Sequence, residues 1–358
     1  MKKLLTTAVA LFVVGGVTAV AADVTISGNS RFRYHSWSDD QKDEKVAGAE
    51  NPSSNDEMAE HLEIWIGASA TSDSGLSFGG NFRLRETDGR ADRNWIYIAD
   101  DWGRIHAGRD HPPFQKMSLA ANWRGSVAGG NYIGGAGTNG KLRTDTWHTA
   151  VGSSTKFAYY TPDINGLKIG VSYGDGGGTY HADDSPKPAD DSTSFAINYT
   201  VDVMDGSKIR LGYGFENTEA GDNADNTTDT KRTEVGIELT SGDFIGSVVR
   251  FTDKDTINKY DNNTMNDKKN SDQTGTEVEL GYNISENLFA NVVLTDVEEK
   301  AGENKDDSYK STQLGVRYTI APGLLLGVLH NMYEYEDKDD KAKSNDGSAT
   351  RVELRLNF

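Results

Sequence analysis

The chain has 358 residues, with 37 Lys and Arg against 55 Asp and Glu, a formal net charge of −18 and no cysteine. The missing thiol excludes disulfide frameworks, thiolate metal sites and cysteine nucleophiles. The acidic balance argues against nucleic acid as a partner, because phosphate affinity needs a surplus of Lys and Arg. Only 35% of the residues are hydrophobic, although 39 Gly, 15 Tyr, 12 Phe and 6 Trp are present. Such a chain needs an architecture that buries little and still orders its backbone.

Residues 1–22 are typical of a secretory signal peptide. Two lysines precede an apolar run over residues 4–20, and small residues follow it, so cleavage fits after Ala21 or Ala22. The alternative is an N-terminal membrane anchor, for which the run is a little short. No later stretch approaches about 18 consecutive apolar residues, the length of a membrane-spanning helix. We therefore predict an exported protein with residues 23–358 as one mature domain.

Hydrophobicity alternates with period two along the mature chain, which indicates strands with two unlike faces. In the first strand Val24, Ile26 and Phe32 share one face. Arg31 and Arg33 share the opposite face of the same strand. Sixteen segments of this kind follow one another, so we predict an all-β fold.

The connections between these segments alternate between short and long. Seven short turns, such as 72–75 and 162–166, are rich in Gly, Asp, Asn and Pro. Eight long polar loops fall between them, which predicts an antiparallel up-and-down meander with all its long loops at one end. The segments over 244–251, 288–295 and 324–333 are apolar on both faces, so their facing stays open.

The number of strands decides which medium touches each face. A closed barrel of sixteen strands has a lumen too wide for side chains to fill, so polar side chains face water inside it. Apolar side chains then face outward and need hydrocarbon as their solvent, while closure pairs every backbone group, as hydrocarbon demands. A lipid-facing arginine costs about 2–4 kcal/mol, so the facing is strongly specified. We predict a transmembrane 16-stranded β-barrel; the alternative is a soluble secreted β-sandwich or repeat protein.

Three stretches resemble the Gram-negative general diffusion porins: WIYIADDWGRIHAGR over 95–109, the hairpin over 154–174 with its Tyr-x-x-Pro turn, and the C-terminal RVELRLNF. The resemblance implies a barrel in the outer membrane of a Gram-negative bacterium, usually a homotrimer, surrounded by outer-membrane lipid and lipopolysaccharide. It implies that the third long loop, residues 110–153, folds into the lumen and narrows it. It also implies that Phe358 is presented to the barrel-assembly machinery.

The third long loop departs from the pattern of that family. Many members carry Pro-Glu-Phe-Gly-Gly there, whereas this chain has Pro112, Pro113 and Phe114 followed by a glycine-rich part. The only acids of the loop are Asp110 and Asp145, against four basic residues. The loop therefore either narrows the lumen or lies over its mouth.

A passive pore works through a field and a diameter and needs no covalent chemistry. We predict a basic wall of lumen-facing arginines, opposed by acids of the third loop, with Glu63 as a further acid. The pore-lining candidates are Arg31, Arg33, Arg83, Arg85, Arg104, Arg109, Asp110, Asp145, Lys168 and Arg210. Arg109 ends its strand, where a bulge would be needed to turn it inward. The alternative is that these are solvated lumen residues without a role in selectivity.

These features predict a channel for the passive diffusion of small hydrophilic solutes and ions, which is not an enzyme and has no cofactor and no metal site. A first alternative is a substrate-selective porin with a saturable site for anions of the phosphate or carboxylate type. A second is a structural or adhesive surface protein whose barrel only anchors its loops. An outer-membrane enzyme would need a catalytic constellation, and none is visible in the sequence. The acidic long loops would either bind divalent cations or form a solvated rim.

Overall fold

The computed structural model describes residues 22–39, 56–85, 91–120, 154–175, 189–204, 206–220, 229–257, 270–301, 306–338, 341 and 344–358. The expected signal peptide therefore lies outside the described residues, apart from its last alanine. The elements are β1 (Asp23–Asp39), β2 (Asp56–Thr71), β3 (Ser77–Arg85), β4 (Ala91–Asp100), β5 (Gly103–Arg109), α1 (Pro113–Lys116), β6 (Thr155–Tyr160), β7 (Leu167–Asp175), β8 (Ala189–Asp202), β9 (Lys208–Ala220), β10 (Thr230–Ser241), β11 (Phe244–Ile257), β12 (Asn270–Ser285), β13 (Leu288–Ala301), β14 (Ser308–Ala321), β15 (Leu324–Glu336) and β16 (Asn345–Asn357). Within these ranges no helix is long and apolar enough to cross a membrane.

The sixteen strands form one closed antiparallel sheet in which each strand pairs with its neighbours in sequence. β16 pairs with β1, and the register joins Asn357 to Asn29 and Glu353 to Arg33. The last residue completes the closure, because Gly28 N donates to Phe358 O at 2.8 Å and Phe358 N donates to Gly28 O at 3.1 Å. The prediction of a 16-stranded up-and-down barrel is confirmed.

The two faces of the sheet have the predicted polarity. Apolar side chains of the outer face are open to the surroundings, with Val24 67% and Ile96 65% exposed. Charged side chains of the inner face are buried, with Arg83 4% and Glu353 1% exposed. Because a soluble protein buries its apolar face, this arrangement requires hydrocarbon outside the barrel.

Several strands are longer than the alternation of hydrophobicity indicated. β12 begins at Asn270, although the pattern indicated a strand only over 277–284, and β13 continues to Ala301. Residues 270–276 of β12 are polar or glycine on both faces, and in 296–301 of β13 only Val297 and Ala301 are apolar, so hydrophobicity does not reveal these extensions. Their backbone groups still pair in the ladder, as Gln273 does with Glu299. The barrel wall therefore extends beyond its apolar belt on the side of the long loops.

The structure settles the facing of the strands that are apolar on both sides. Val248 and Leu294 are exposed on the outer face, whereas Val249 and Val293 are buried on the inner face. Further along the same part of the wall, an inner cluster is formed by Phe251, Val297, Tyr309, Tyr333 and Tyr335. The inner face is therefore polar over most of the barrel and apolar at this cluster.

The strands that flank the third long loop are the shortest of the barrel. β5 has seven residues and β6 has six, whereas a strand needs about 9–11 residues to cross a membrane. The chain consequently leaves the sheet within the depth of the membrane. Unpaired backbone facing hydrocarbon is too costly there, so the chain turns inward.

Candidate pore lining and constriction

Arginines of the inner face gather on one side of the lumen. The alternation of each strand and the register between strands bring together side chains that are far apart in sequence. We call this set the basic arc: Arg317 on β14, Arg351 and Arg355 on β16, Arg31 and Arg33 on β1, Arg83 and Arg85 on β3, Arg93 on β4 and Arg104 on β5. It contains five of the residues that the sequence indicated. The lumen-facing arginines of β14, β16 and β4 were not among the candidates, although Arg351 and Arg355 alternate with apolar residues in the last strand and so share its polar face.

Glu63 on β2 lies inside the basic arc and not opposite to it. Its Oε2 is 3.1 Å from Arg83 Nη1, and its Oε1 is 3.6 Å from Arg31 Nη2. Asn29 Nδ2 donates to Oε1 at 2.6 Å, and Arg85 Nε is 4.0 Å from Oε2. The expectation that Glu63 belongs to an opposing acidic wall is therefore wrong. It joins guanidinium groups of β1 and β3, which would otherwise repel one another.

A second carboxylate has the same role at the seam of the barrel. Glu353 Oε2 accepts from Arg33 Nε at 2.7 Å, and its Oε1 accepts from Arg355 Nε at 2.7 Å. Register places Glu353 directly opposite Arg33 across the β1–β16 pair. Because this pairing forms only when the barrel closes, a strand-by-strand reading of the sequence does not reveal it.

The first part of the third loop lies inside the barrel. We call residues 110–120 the inner loop segment. Phe114 N donates to Ser194 Oγ on β8 at 2.9 Å, and Leu119 N donates to a carboxylate oxygen of Glu234 on β10 at 3.2 Å. Ser118 Oγ donates to the other oxygen of Glu234 at 3.0 Å. This part of the loop thus runs along the inner wall from β5 to β10 and does not lie over the mouth.

Glycines of the inner face make room for the inner loop segment. A Cβ atom on Gly170 would lie 2.9 Å from Met117 Sδ, and one on Gly212 would lie 2.9 Å from Leu119 Cγ. A Cβ atom on Gly214 would lie 3.0 Å from Phe114 Cδ2, and one on Gly236 would lie 3.2 Å from Leu119 Cβ. These glycines, on β7, β9 and β10, form a shallow seat that any larger side chain would fill.

Asp110 anchors the start of the inner loop segment. Lys116 Nζ donates to its carboxylate, and His106 Nδ1 on β5 is 3.8 Å away. Lys156 Nζ on β6 donates to the carbonyl oxygen of Asp110. Burial would raise the pKa of the Asp110 carboxyl, but His106 and Lys116 outweigh it and hold that pKa well below its usual range. Asp110 is therefore ionised at neutral pH and is paired on the basic side of the lumen.

The adjacent His111 is buried and stays neutral. Burial is the largest cause that lowers the pKa of this imidazole, and the positive charge of Arg93 lowers it further. His111 N donates to Asp110 Oδ1 at 2.8 Å, which fixes the chain direction as it leaves β5. The loop root therefore holds one ionised carboxylate and one uncharged imidazole.

Acids of the inner face gather on the side opposite the basic arc. We call this set the acidic arc: Glu216 on β9, Glu234 and Glu238 on β10, Asp253 on β11, Glu277 and Glu279 on β12, and Glu299 on β13. β10 lies eight strands from β2, which is half the circumference of the barrel. The acids that face the arginines across the lumen thus include residues of the wall itself, which the sequence pattern does not single out because their position depends on the order of all the strands.

The remaining candidates occupy three different environments. Arg210 on β9 faces the lumen within the acidic arc, with its Nη2 2.9 Å from Glu238 Oε2. Lys168 is the second residue of β7, on the same face as Gly170, and it is exposed at the turn end of the strand with its Nζ 3.7 Å from Asp163 Oδ2. Register pairs Arg109 with Asn94, on the strand face opposite to that of His106, so the ladder does not turn Arg109 inward. Asp145 lies outside the described residues.

Comparison with known proteins agrees with this architecture. A family model described as Gram-negative porin matches residues 6–342. An anion-selective porin from Comamonas acidovorans superimposes with a TM-score of 0.65 at 15% identity, covering 94% of this chain and 100% of that chain. OmpT, an outer membrane protein of Vibrio cholerae in its trimer form, gives a TM-score of 0.63 at 14% identity, with coverage of 94% and 100%. No curated protein sequence matches this chain.

At these low identities the solved structures support only the fold, whereas the match to the family model shows the family. The match extends over most of the chain, and the fold is a closed sixteen-stranded barrel with an apolar outer face and a charged lumen. This chain therefore belongs to the Gram-negative porins, outer-membrane barrels that form channels for passive diffusion.

Proposed function

We propose that this porin is a pore without enzymatic turnover or cofactor, which passes small hydrophilic solutes and ions and sorts them by a transverse electric field. The observation that carries the proposal is the separation of charge around the lumen. Arginines of the basic arc face the carboxylates of the acidic arc across the barrel. The inner loop segment runs along the wall from β5 of the basic arc to Glu234 of the acidic arc.

The physical reason is that opposite charges on facing walls orient the water between them. A solute that displaces this oriented water without making equivalent polar interactions with the walls passes more slowly. Two unit charges 4 Å apart interact by about 4 kcal/mol at an effective dielectric constant of 20 and by about 1 kcal/mol in water. The field therefore acts most strongly where protein narrows the column of water.

We assign the principal role to four arginines near the two shared carboxylates, namely Arg31, Arg33, Arg83 and Arg85. Arginine suits this role because its charge persists at every physiological pH. Asp110 anchors the loop in this scheme, while Arg210 reduces the charge of the acidic arc. Residues 121–153, with Asp145, would complete the constriction, and residues 1–22 would be removed on export.

The experiment is a planar-bilayer recording of single-channel conductance and reversal potential. Arg83→Ala combined with Arg85→Ala should shift the reversal potential toward cation preference, because two positive charges leave the lumen. Lys231→Ala combined with Lys254→Ala is the matched control, since these two paired residues are exposed on the outer face and carry the same total charge. Unchanged ion preference in the double variant would remove the field as the basis of sorting.

A second candidate is a porin with a saturable site for small anions. The clusters of several arginines around Glu63 and around Glu353 favour it. The fold is shared with a porin described as anion-selective. Conductance that saturates with salt and is blocked by one anion, such as inorganic phosphate, supports this candidate. Conductance linear in salt supports a general pore, and zero conductance supports the barrel-anchored adhesive alternative.

The same proposal includes the partners that the family implies. Lys231, Arg250 and Lys254 are exposed on the outer face, on the long-loop side of the paired Ile237 and Val248, a position suited to the phosphates of lipopolysaccharide. Truncation of lipopolysaccharide phosphates should lower retention of the protein in native membranes, and the triple change of these residues to Gln should reproduce the loss.

Assembly and oligomeric state are tested separately. Deletion of Phe358 removes the hydrogen bonds that join β16 to Gly28, and it should slow assembly by the barrel-assembly machinery. Cross-linking in native membranes should give a homotrimer. Recovery of only monomers there would contradict the trimer.

A further inference from the structure

We propose that the lumen contains a binding strip for planar anions, meaning flat unsaturated rings that carry one carboxylate. The inference rests on the proposed function, because it names a solute class for the same channel. The strip lies on β2–β5, and its members are Trp65, Arg83, Arg93, Trp95, Tyr97 and Arg104. We call it the aromatic–cation strip.

Register places these side chains on the inner face in successive rows. Tyr97 pairs with Gly79 on β3 and with His106 on β5. Trp95 occupies the next row toward the long loops, opposite Asn81. The third row contains Trp65, Arg83 and Arg93. The rings therefore follow one another along the axis of the pore, starting near the short turns.

Neighbouring rings hold the lower part of the strip in position. His106 stacks on Trp95 with centroids 4.6 Å apart and planes inclined by 10°. The centroids of Trp95 and Tyr97 are 6.0 Å apart, and Tyr160 meets His106 edge-on at 5.4 Å. A Cβ atom on Gly79 would lie 2.8 Å from a ring carbon of Tyr97, so this glycine leaves room for the ring. The surface is thus preorganised and half-buried.

Cations stand beside each ring of the strip. Arg104 Cζ is 3.7 Å from the ring centroid of Tyr97 and 5.7 Å from that of Trp95. Trp65 has Arg83 Cζ at 5.1 Å and Arg93 Cζ at 5.8 Å. Arg104 as a whole is only partly buried on the inner face, and its guanidinium carries five N–H donors in a fixed fork that matches a carboxylate.

This combination recognises a ring and a charge together. A carboxylate can accept hydrogen bonds from the fork of a guanidinium, while a flat ring gains stacking on an indole and edge contacts with its neighbours. An aliphatic carboxylate can pair only with a guanidinium, and a neutral ring can stack only on an indole. A planar anion therefore stays longest on the strip during its passage.

The test is block of single-channel KCl current by four probes at neutral pH, with benzoate as the planar anion. Cyclohexanecarboxylate has the same charge without a π face, benzamide has the ring without the charge, and glucuronate is a sugar acid of the same charge. Benzoate should block at a concentration about threefold to tenfold lower than cyclohexanecarboxylate, the ratio expected from one ring–ring or ring–cation contact. Benzamide should be weaker than benzoate.

Variants locate the site. Trp65→Leu and Trp95→Leu should each raise the half-blocking concentration of benzoate by about threefold to tenfold and leave that of cyclohexanecarboxylate within about twofold. Lys116 of the inner loop segment lies over the ring of Trp95. The cations described over the ring of Trp65 are Arg83 and Arg93, which belong to the barrel wall. Trp65→Leu therefore keeps the test valid if Trp95→Leu disturbs the loop. Arg104→Gln should raise the half-blocking concentrations of both benzoate and cyclohexanecarboxylate.

The matched control is Trp37→Leu, which removes an indole from the inner face of β1, outside the strip, where it stacks on His35 at 5.4 Å. It should leave block by benzoate unchanged. Equal block by benzoate and cyclohexanecarboxylate, stronger block by glucuronate, or equal loss in the Trp37 variant would overturn the inference. In each of these outcomes the channel still conducts, whereas absence of conductance contradicts the proposed function itself.

Discussion

The basic arc and the acidic arc solve the same electrostatic problem with opposite signs. In the basic arc a minority of carboxylates is shared, as Glu63 is between Arg31 and Arg83. In the acidic arc a minority of cations is paired, as Arg210 is with Glu238 at 2.9 Å. Like charges on neighbouring strands repel, so each arc needs a few ions of the other sign. The comparison teaches that the lumen field is a difference between two partly neutralised walls.

The two arcs differ in the number of partners of each minority ion. Glu353 touches guanidinium groups from β1 and β16, and Glu63 touches groups from β1 and β3. In the acidic arc, amide side chains also stabilise the carboxylates, since Asn291 Nδ2 donates a hydrogen bond to Glu279 Oε1 at 2.9 Å. Loss of one minority ion should therefore cost more in the basic arc.

The largest effect is expected from Glu353→Ala. This change leaves Arg33 and Arg355 without their carboxylate, and loss of one partner of a buried ion pair costs about 3–5 kcal/mol. The urea midpoint of unfolding in detergent should fall, and the reversal potential should move toward anion preference. Glu336→Ala is the control, since that exposed residue pairs only with Lys338 among its described ion pairs. Equal midpoints of the two variants would contradict the shared role of Glu353.

A smaller effect is expected where the inner loop segment rests on β9, at the edge of the acidic arc. Gly212→Leu places a side chain against Leu119, and overpacking of this kind costs about 1–3 kcal/mol. The loop segment should leave its seat, and single-channel conductance should rise. The double variant Gly212→Leu with Leu119→Ala restores the space and should recover the original conductance. Failure of this recovery would contradict the seat.

Arg210→Ala should act more weakly and in the opposite direction to Glu353→Ala. It removes one half-exposed cation from the acidic arc, and pairs of that kind contribute about 0–1 kcal/mol. The unfolding midpoint should hardly change, while the reversal potential moves toward cation preference. A shift toward anions would show that this residue does not face the conducting water.

The smallest effect is expected from pH. The pKa of Asp110 is held below its usual range, so the stabilisation from its ionised form is fully present above the ordinary aspartate value near 4. It is lost only as pH falls through the lowered pKa of the folded protein. The Asp110 carboxyl should therefore cause no change in single-channel conductance between about pH 8 and about pH 5. Asp110→Asn removes the charge at all pH values and should destabilise the segment throughout that range.

Much of the fold follows from local properties of the chain. Period two along each strand tells which residues share a face, as for Val24 and Ile26 against Arg31 and Arg33. The alternation of short and long connections gives the meander. The number of strands gives a lumen that must hold water. These properties act over a few neighbouring residues, so no tertiary information is needed to read them.

Other features depend on closure and register, which no single segment contains. Whether Glu63 lies among the arginines or opposite them depends on which strands become neighbours and at what height they pair. The glycine seat gains its meaning only when Gly212 and Leu119, 93 positions apart in sequence, meet inside the barrel. The sequence by itself determined the faces and the barrel, because side-chain alternation is local. Only the tertiary structure decided which charges stand side by side and which face each other, because that position around the barrel is set by the sum of all sixteen pairings.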